Sequence, residues 1–188
     1  MRKWLLVLVP LMFFPVSSSA QIIPHFAVFG GYSYVHSRLA GTNNGFSLNG
    51  WDTSFEVKPL PFIGLVGDLS KQYGSPSSIG TSQTNFLVGP QLSVPGIRNT
   101  VPFVHAMIGV VHGSAQDQIV CPPVAGTICP AIPTGTSFAT AVGGGVDFKL
   151  KGPIWFRAAQ IDWVHSSLNP DRRNQVRFAT GIVFRFGK

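Results

Sequence analysis

Hydrophobic and polar positions alternate along most of this chain, in eight stretches: 26–36, 47–57, 62–72, 83–94, 101–113, 137–150, 154–165 and 173–186. A period of two puts successive side chains on opposite faces of a β-strand. The clearest case is NQVRFATGIVFRFGK, residues 174–188. Val176, Phe178, Thr180, Ile182, Phe184 and Phe186 form one series, and Gln175, Arg177, Ala179, Gly181, Val183 and Arg185 the other. Stretches of this length suit a tilted strand that crosses a bilayer in about 9–11 residues, with some excess for rims. No helical period competes, and 21 Gly and 15 Pro would oppose one.

The acids then decide which face is which. Asp117 and Asp171 fall between the strands, whereas Asp52, Glu56, Asp68, Asp147 and Asp162 fall within them. Asp52 and Glu56 oppose Trp51, Phe55 and Val57; Asp68 opposes Leu65 and Leu69; Asp147 opposes Val146 and Phe148. With Arg177 and Arg185 opposite the phenylalanines, these seven charges can share one face as a mutually paired network. Strand seven breaks the pattern, because Arg157 and Asp162 have opposite parity. A bulge at Ala158-Ala159 repairs it, or Arg157 snorkels to an interface.

Two barrels fit such a pattern. In a soluble, lipocalin-like barrel the greasy face lines a lipid-binding interior. In a membrane barrel the greasy face meets lipid, and acids and arginines fill a narrow lumen among small residues. The membrane version is favoured by a polar face rich in Gly and Ala but poor in Lys and Glu. Trp51, Tyr73, Trp155, Trp163 and Phe186 near strand ends are expected to form aromatic girdles.

Composition agrees: 45% hydrophobic and only 11% charged is too greasy for disorder and sparsely charged for a soluble surface. Arg2 and Lys3, an apolar run from Trp4 to Val16 and then Ser17-Ser18-Ser19-Ala20 read as a signal peptide, residues 1–20, with the mature domain at 21–188. The remaining positive charge is scattered, which argues against nucleic acid as a partner. Cys121 and Cys129 flank a Pro- and Gly-rich loop. In an exported protein this spacing reads as a disulfide. A zinc site would need ligands that are absent nearby.

Connections after strands one, three, five and seven are read as longer than the others, so both termini fall at the short-turn, periplasmic end. His36, His112 and His165 then sit at the extracellular rim, with Ser166 and Ser167 beside His165. A rim Ser-His-acid site would make a lipid hydrolase, but no G-x-S-x-G turn supports it. No catalytic residue is assigned, and no metal or cofactor is implied. Gly143-Gly144-Gly145 lacks the Lys-Ser/Thr of a phosphate loop and reads as a close-packed strand. Arg38, Lys71, Arg172 and Arg173 lie near the outer rim, where lipopolysaccharide phosphates or plain solvent could meet them.

The stretches FAVFGGYSY (26–34), GLVGDLSKQYG (64–74), NFLVGPQLS (85–93), PFVHAMIGVVHG (102–113), TAVGGGVDFKL (140–150) and RFATGIVFRFGK (177–188) resemble, in that order, the small bacterial outer-membrane β-barrel proteins. The similarity is to the transmembrane domain of outer-membrane protein A and to opacity-type barrels. It covers 26–186 and implies an all-β fold, an eight-stranded antiparallel up-and-down transmembrane β-barrel in the cell outer membrane. It also implies insertion by the barrel assembly machinery, which in this family reads a terminal aromatic residue. Here Gly187 and Lys188 follow Phe186, so that signal is displaced. No peptidoglycan-binding domain follows, and no wall tether is implied. The expected function is a structural or surface-interaction role through long extracellular loops around a plugged lumen. The extracellular ligand itself is not legible.

Overall fold

The computed structural model describes residues 25–38, 45–75, 80–94, 99–115, 134–167 and 173–187. Residues 1–20, expected to be a signal peptide, and Cys121, Cys129 and Arg172 lie outside these residues, as do the side chains of Arg38 and Arg173.

Eight strands form: β1 (His25–Arg38), β2 (Gly45–Lys58), β3 (Ile63–Gly74), β4 (Thr81–Ser93), β5 (Thr100–Ala115), β6 (Gly135–Lys151), β7 (Ile154–Ser166) and β8 (Arg173–Phe186). Each pairs antiparallel with its neighbour in sequence, and β8 returns to β1 to close the barrel. The closing register runs from Phe26 opposite Phe186 to Ser37 opposite Gln175. Closure leaves no strand edge unpaired, the condition for a sheet to cross a bilayer. Among the described residues no helix is long and apolar enough to cross a membrane.

The strands run further than the hydrophobic alternation suggests, and the loops shrink accordingly. The connections after β1, β3 and β7 span only 39–44, 75–80 and 167–172, against 59–62, 94–99 and 152–153 at the other end. Only 116–134 is long. The polar strand ends read as loop in the sequence because they leave the greasy band, yet their backbones still pair: Arg38 lies opposite Gly45, and Gly74 opposite Thr81.

Side-chain polarity is inverted relative to a soluble protein. Leu65, Phe86, Ile108, Val142 and Ile161 project outward and are more than half exposed, while Asp52, Asp68, Asp162 and Arg177 are enclosed. That inversion overturns the lipocalin-like alternative, which requires the apolar face inside.

The irregularity of β7 is a bulge. Val146 pairs with Ala159 but Asp147 pairs with Arg157, which leaves Ala158 without a partner on β6; on the β8 side the register jumps between Arg157 and Gln160. The extra residue reverses the parity, so Arg157 and Asp162 both face the lumen. Trp155 turns inward with them. It packs against Ala27, Phe29, Ala179 and Val183 near the short-turn end and takes no part in the expected outer girdle. Trp51, Tyr73, Trp163 and Phe186 do face outward.

The Gly143–Gly145 run opposite this bulge is a matter of space. A Cβ on Gly143 would lie 2.1 Å from Asp162 Oδ1, and one on Gly145 would lie 2.8 Å from Phe103 Cζ. Any larger residue would displace the charged and aromatic side chains packed there.

Candidate functional site

The lumen is crossed by side chains rather than lined by them. Arg177 on β8 sends Nη1 to Asp68 Oδ1 at 2.6 Å and Nη2 to Asp68 Oδ2 at 3.0 Å, reaching β3 on the far wall. Its Nε and Nη2 also donate to Asp162 Oδ2 at 3.0 and 2.7 Å, and Nη1 donates to Ser70 Oγ at 2.9 Å. These contacts engage all five guanidinium N–H groups. Asp52 therefore gets none: its Oδ2 stands 3.5 Å from Nη1, and neither oxygen accepts a hydrogen bond among the described residues.

A second arginine lies nearer the short-turn end. Arg157 donates from Nε to Asp147 Oδ1 at 2.8 Å and from Nη1 to Gln160 Oε1 at 2.6 Å. Its guanidinium is sandwiched between the rings of Phe29 and Phe103, 4.4 and 4.3 Å from the centroids. Arg185 donates to the other Asp147 oxygen at 2.7 Å and stacks over Trp155 at 4.1 Å. Gln160 joins the two groups, because its Nε2 donates to Asp162 Oδ2 at 2.8 Å.

His105 on β5 supplies a third branch. Its Nε2 donates to Asp162 Oδ1 at 2.7 Å, and its Nδ1 lies 3.5 Å from Gln91 Oε1. Gln91 in turn donates to Glu56 Oε1 at 2.8 Å; Glu56 sits 3.4 Å from Lys58 Nζ, which donates to Ser93 Oγ. Toward the other end the network becomes neutral. Asn85 donates to Ser70 and Gln72, Gln72 to Ser33, and Gln83 exchanges two hydrogen bonds with Gln175 across the lumen at 2.8 and 3.1 Å.

The seven charges expected on one face thus all lie inside, six of them buried and Arg185 partly so. His105, Lys58, Gln83, Asn85, Gln91 and Gln160 escaped the sequence reading, whereas Gln175 stood in the Arg177 series. The amides carry no charge to reveal them, although Gln72 has the parity of Asp68. His105 shares its parity with Phe103 and Met107, so alternation does not mark it as a polar position.

No family model matches the sequence, and no curated protein matches it. Solved structures do match. Neisserial surface protein A superposes with a TM-score of 0.67 at 11% identity, over 86% of this chain and 97% of that one. Ail, the attachment invasion locus protein of Yersinia pestis, gives 0.58 at 12% identity, over 87% and 99%. OprG of Pseudomonas aeruginosa gives 0.55 at 11% identity, over 88% and 97%. The chain has the fold of these small eight-stranded outer-membrane barrels. At such identities the likeness carries the fold, and the inverted polarity supplies the lipid-facing surface independently.

Within the barrel the rim residues do not converge. His165 projects outward and pairs through Nδ1 with Asn174 Oδ1 at 2.7 Å, whereas Ser166 is buried on the opposite face. Ser167 Oγ donates to the Phe138 carbonyl at 3.4 Å, and Asp162 is committed to Arg177 and His105. His36 and His112 sit on other strands, each against a hydroxyl of its neighbour: Ser47 at 3.4 Å and Thr136 at 2.8 Å. No group of three or more His, Cys, Asp or Glu that could hold a metal occurs among the described residues. Lys71 faces outward near the end of β3, over the Tyr73 ring at 5.3 Å. Arg38 and Arg173 terminate β1 and β8 at the same end of the barrel.

Proposed function

We propose that this outer-membrane barrel is a structural, surface-interaction protein whose lumen is closed to bulk solutes, and that it is not an enzyme. The observation that carries the reading is the set of bonds spanning the lumen, Arg177 to Asp68 and Gln83 to Gln175. A diffusing sugar would have to break charge-assisted bonds at one level and an amide pair at another. In so narrow a barrel no parallel water-filled route is expected beside them. Specific contacts then belong to the outward connections, above all 116–134 with Cys121 and Cys129, which we assign to a disulfide. Arg38, Lys71, Arg172 and Arg173 would meet lipopolysaccharide phosphates around that rim. Export through residues 1–20 and insertion by the barrel assembly machinery complete the reading.

The deciding experiment is solute flux. Proteoliposomes carrying the purified barrel should swell in small sugars no faster than empty liposomes, and rapid swelling would overturn the closed-lumen reading. Lipid hydrolysis by the same preparation should stay at background, because His165 and Ser166 face opposite ways.

A further inference from the structure

The outer surface is asymmetric in a way that neither the closed lumen nor the loops require. At the short-turn end the outward side chains are greasy: Phe26, Phe62, Leu92, Leu150 and Phe186. Toward the other end each odd strand passes from apolar to cationic or ionisable. On β3 the outward series is Leu69, Lys71, Tyr73; on β5 it is Ile108, Val110, His112; on β7 it is Ile161, Trp163, His165; on β1 it is Tyr32, Tyr34, His36. All four basic groups lie within three residues of their strand ends. That is the height at which the apolar band gives way to headgroups.

We propose that His36, His112 and His165, together with Lys71, form a proton-gated collar that binds the anionic phosphates of lipid headgroups in the surrounding leaflet. The proposal deepens the lipid contacts suggested above and rests on the same membrane placement.

Three observations support it. First, each imidazole is exposed and has Nδ1 held by a cross-strand partner, Ser47, Thr136 or Asn174, so the ring is oriented and Nε2 is left for the surroundings. The Asn174 oxygen accepts from His165 Nδ1–H, so in the neutral ring Nε2 can only accept. Protonation turns it into a charged donor while leaving the Asn174 bond intact.

Second, among the described residues no carboxylate faces these histidines. His112 is flanked by Thr84 of β4 and Thr136 of β6, with Lys71 one strand beyond Thr84. His165 is flanked by Thr140 and Asn174, and His36 by Ser47 and Val176. The described carboxylates Asp52, Glu56, Asp68, Asp147 and Asp162 are all on the lumen side of the wall. Among the described residues a protonated imidazole here has no carboxylate beside it, which leaves an external phosphate as its counter-charge. Third, the collar is indented between β3 and β5 by a pocket of about 480 Å³, lined in part by Lys71, Tyr73, Ser82 and Ser114. It offers a cation and hydroxyl donors to a phosphate. Imidazole is the side chain that changes charge between about pH 5 and 8, so lipid retention should follow pH in that window.

The test uses a phosphodiester lipid, phosphatidylglycerol, whose own charge is constant over the window. The barrel is reconstituted in nanodiscs of phosphatidylglycerol and phosphatidylcholine, and retained lipid is counted by native mass spectrometry. The wild type should retain roughly two- to fivefold more phosphatidylglycerol at about pH 5.5 than at about pH 8, as a few exposed charge pairs would give. The H36Q/H112Q/H165Q variant, which keeps a polar partner for each neighbour, should lose that increment while retaining its folded, heat-modifiable gel migration. If the triple variant fails to fold, H165Q alone should lose about a third of the increment. K71Q should lower retention equally at both pH values. A flat wild-type profile or an increment that survives the triple substitution would overturn the proposal. So would an increment abolished by millimolar inorganic phosphate, which would assign the site to a free anion. Sugar flux through the lumen would refute the closed-barrel reading without touching this result, and a flat lipid profile would leave that reading intact.

Discussion

Arg177 and Arg157 are buried in the same lumen, yet they are accommodated by different chemistry. Arg177 saturates its five N–H groups on two carboxylates and a hydroxyl, with a third carboxylate close by. Arg157 has one carboxylate, one amide and two aromatic faces, and it shares that carboxylate with Arg185. The first arrangement concentrates charge and depends on every partner. The second spreads the charge over π-faces and leaves a spare cation behind. Removing one partner of a buried pair costs chiefly through the charges left unpaired, so the two sites should respond very differently to the same mutation.

The largest contrast is between the two arginines themselves. Arg177→Met strands Asp52, Asp68 and Asp162 together, and a loss of about 3–5 kcal/mol is expected in urea unfolding of the barrel in lipid vesicles. Arg157→Met leaves Asp147 still bound to Arg185 and should cost about 1–3 kcal/mol. Equal losses would show that charge concentration does not distinguish the sites. Next come the acids around Arg177. Asp68→Asn removes a bidentate partner and should cost about 2–4 kcal/mol. Asp52→Asn removes a carboxylate that receives no hydrogen bond, and the same unfolding assay should register between no change and a gain of about 1 kcal/mol. A large loss at Asp52 would mean that its charge is needed by Arg177. Smaller still, Phe103→Leu keeps the volume apolar but removes one face of the Arg157 sandwich. About 1 kcal/mol is expected, and it should vanish in the Arg157→Met background, which a double-mutant cycle measures.

The comparison also explains what could be read from the sequence. The Arg177 site was legible because β2, β3 and β8 keep strict alternation, so parity alone gathered Asp52, Asp68 and Arg177. The Arg157 site was only half legible. The opposite parity of Arg157 and Asp162 pointed to an irregularity, but the choice between a bulge and a snorkelling side chain rests on the backbone register, which local sequence does not encode. The aromatic half was invisible: Phe29 and Phe103 sit on strands whose two faces are both largely apolar, and Trp155 looked like a girdle residue until the bulge turned it inward. His105 was hidden for the same reason. Loop lengths were overestimated because hydropathy marks the lipid band, whereas backbone pairing continues beyond it into water.

Arg177 also bears on the order in which this barrel is made. It lies on β8, last of the eight strands in sequence, while Asp52, Asp68 and Asp162 arrive on β2, β3 and β7. Before β8 docks, Asp52 and Asp68 lie on neighbouring strands and Asp162 on the distant edge strand β7, all without the guanidinium that joins them, and Asp147 is without Arg185. Only as the sheet curls do the acids approach one another, and Arg177 on the closing strand is the group that then joins them. The closing strand thus works as a keystone as well as a seam, and the arrival of its charge is tied to completion of the ring.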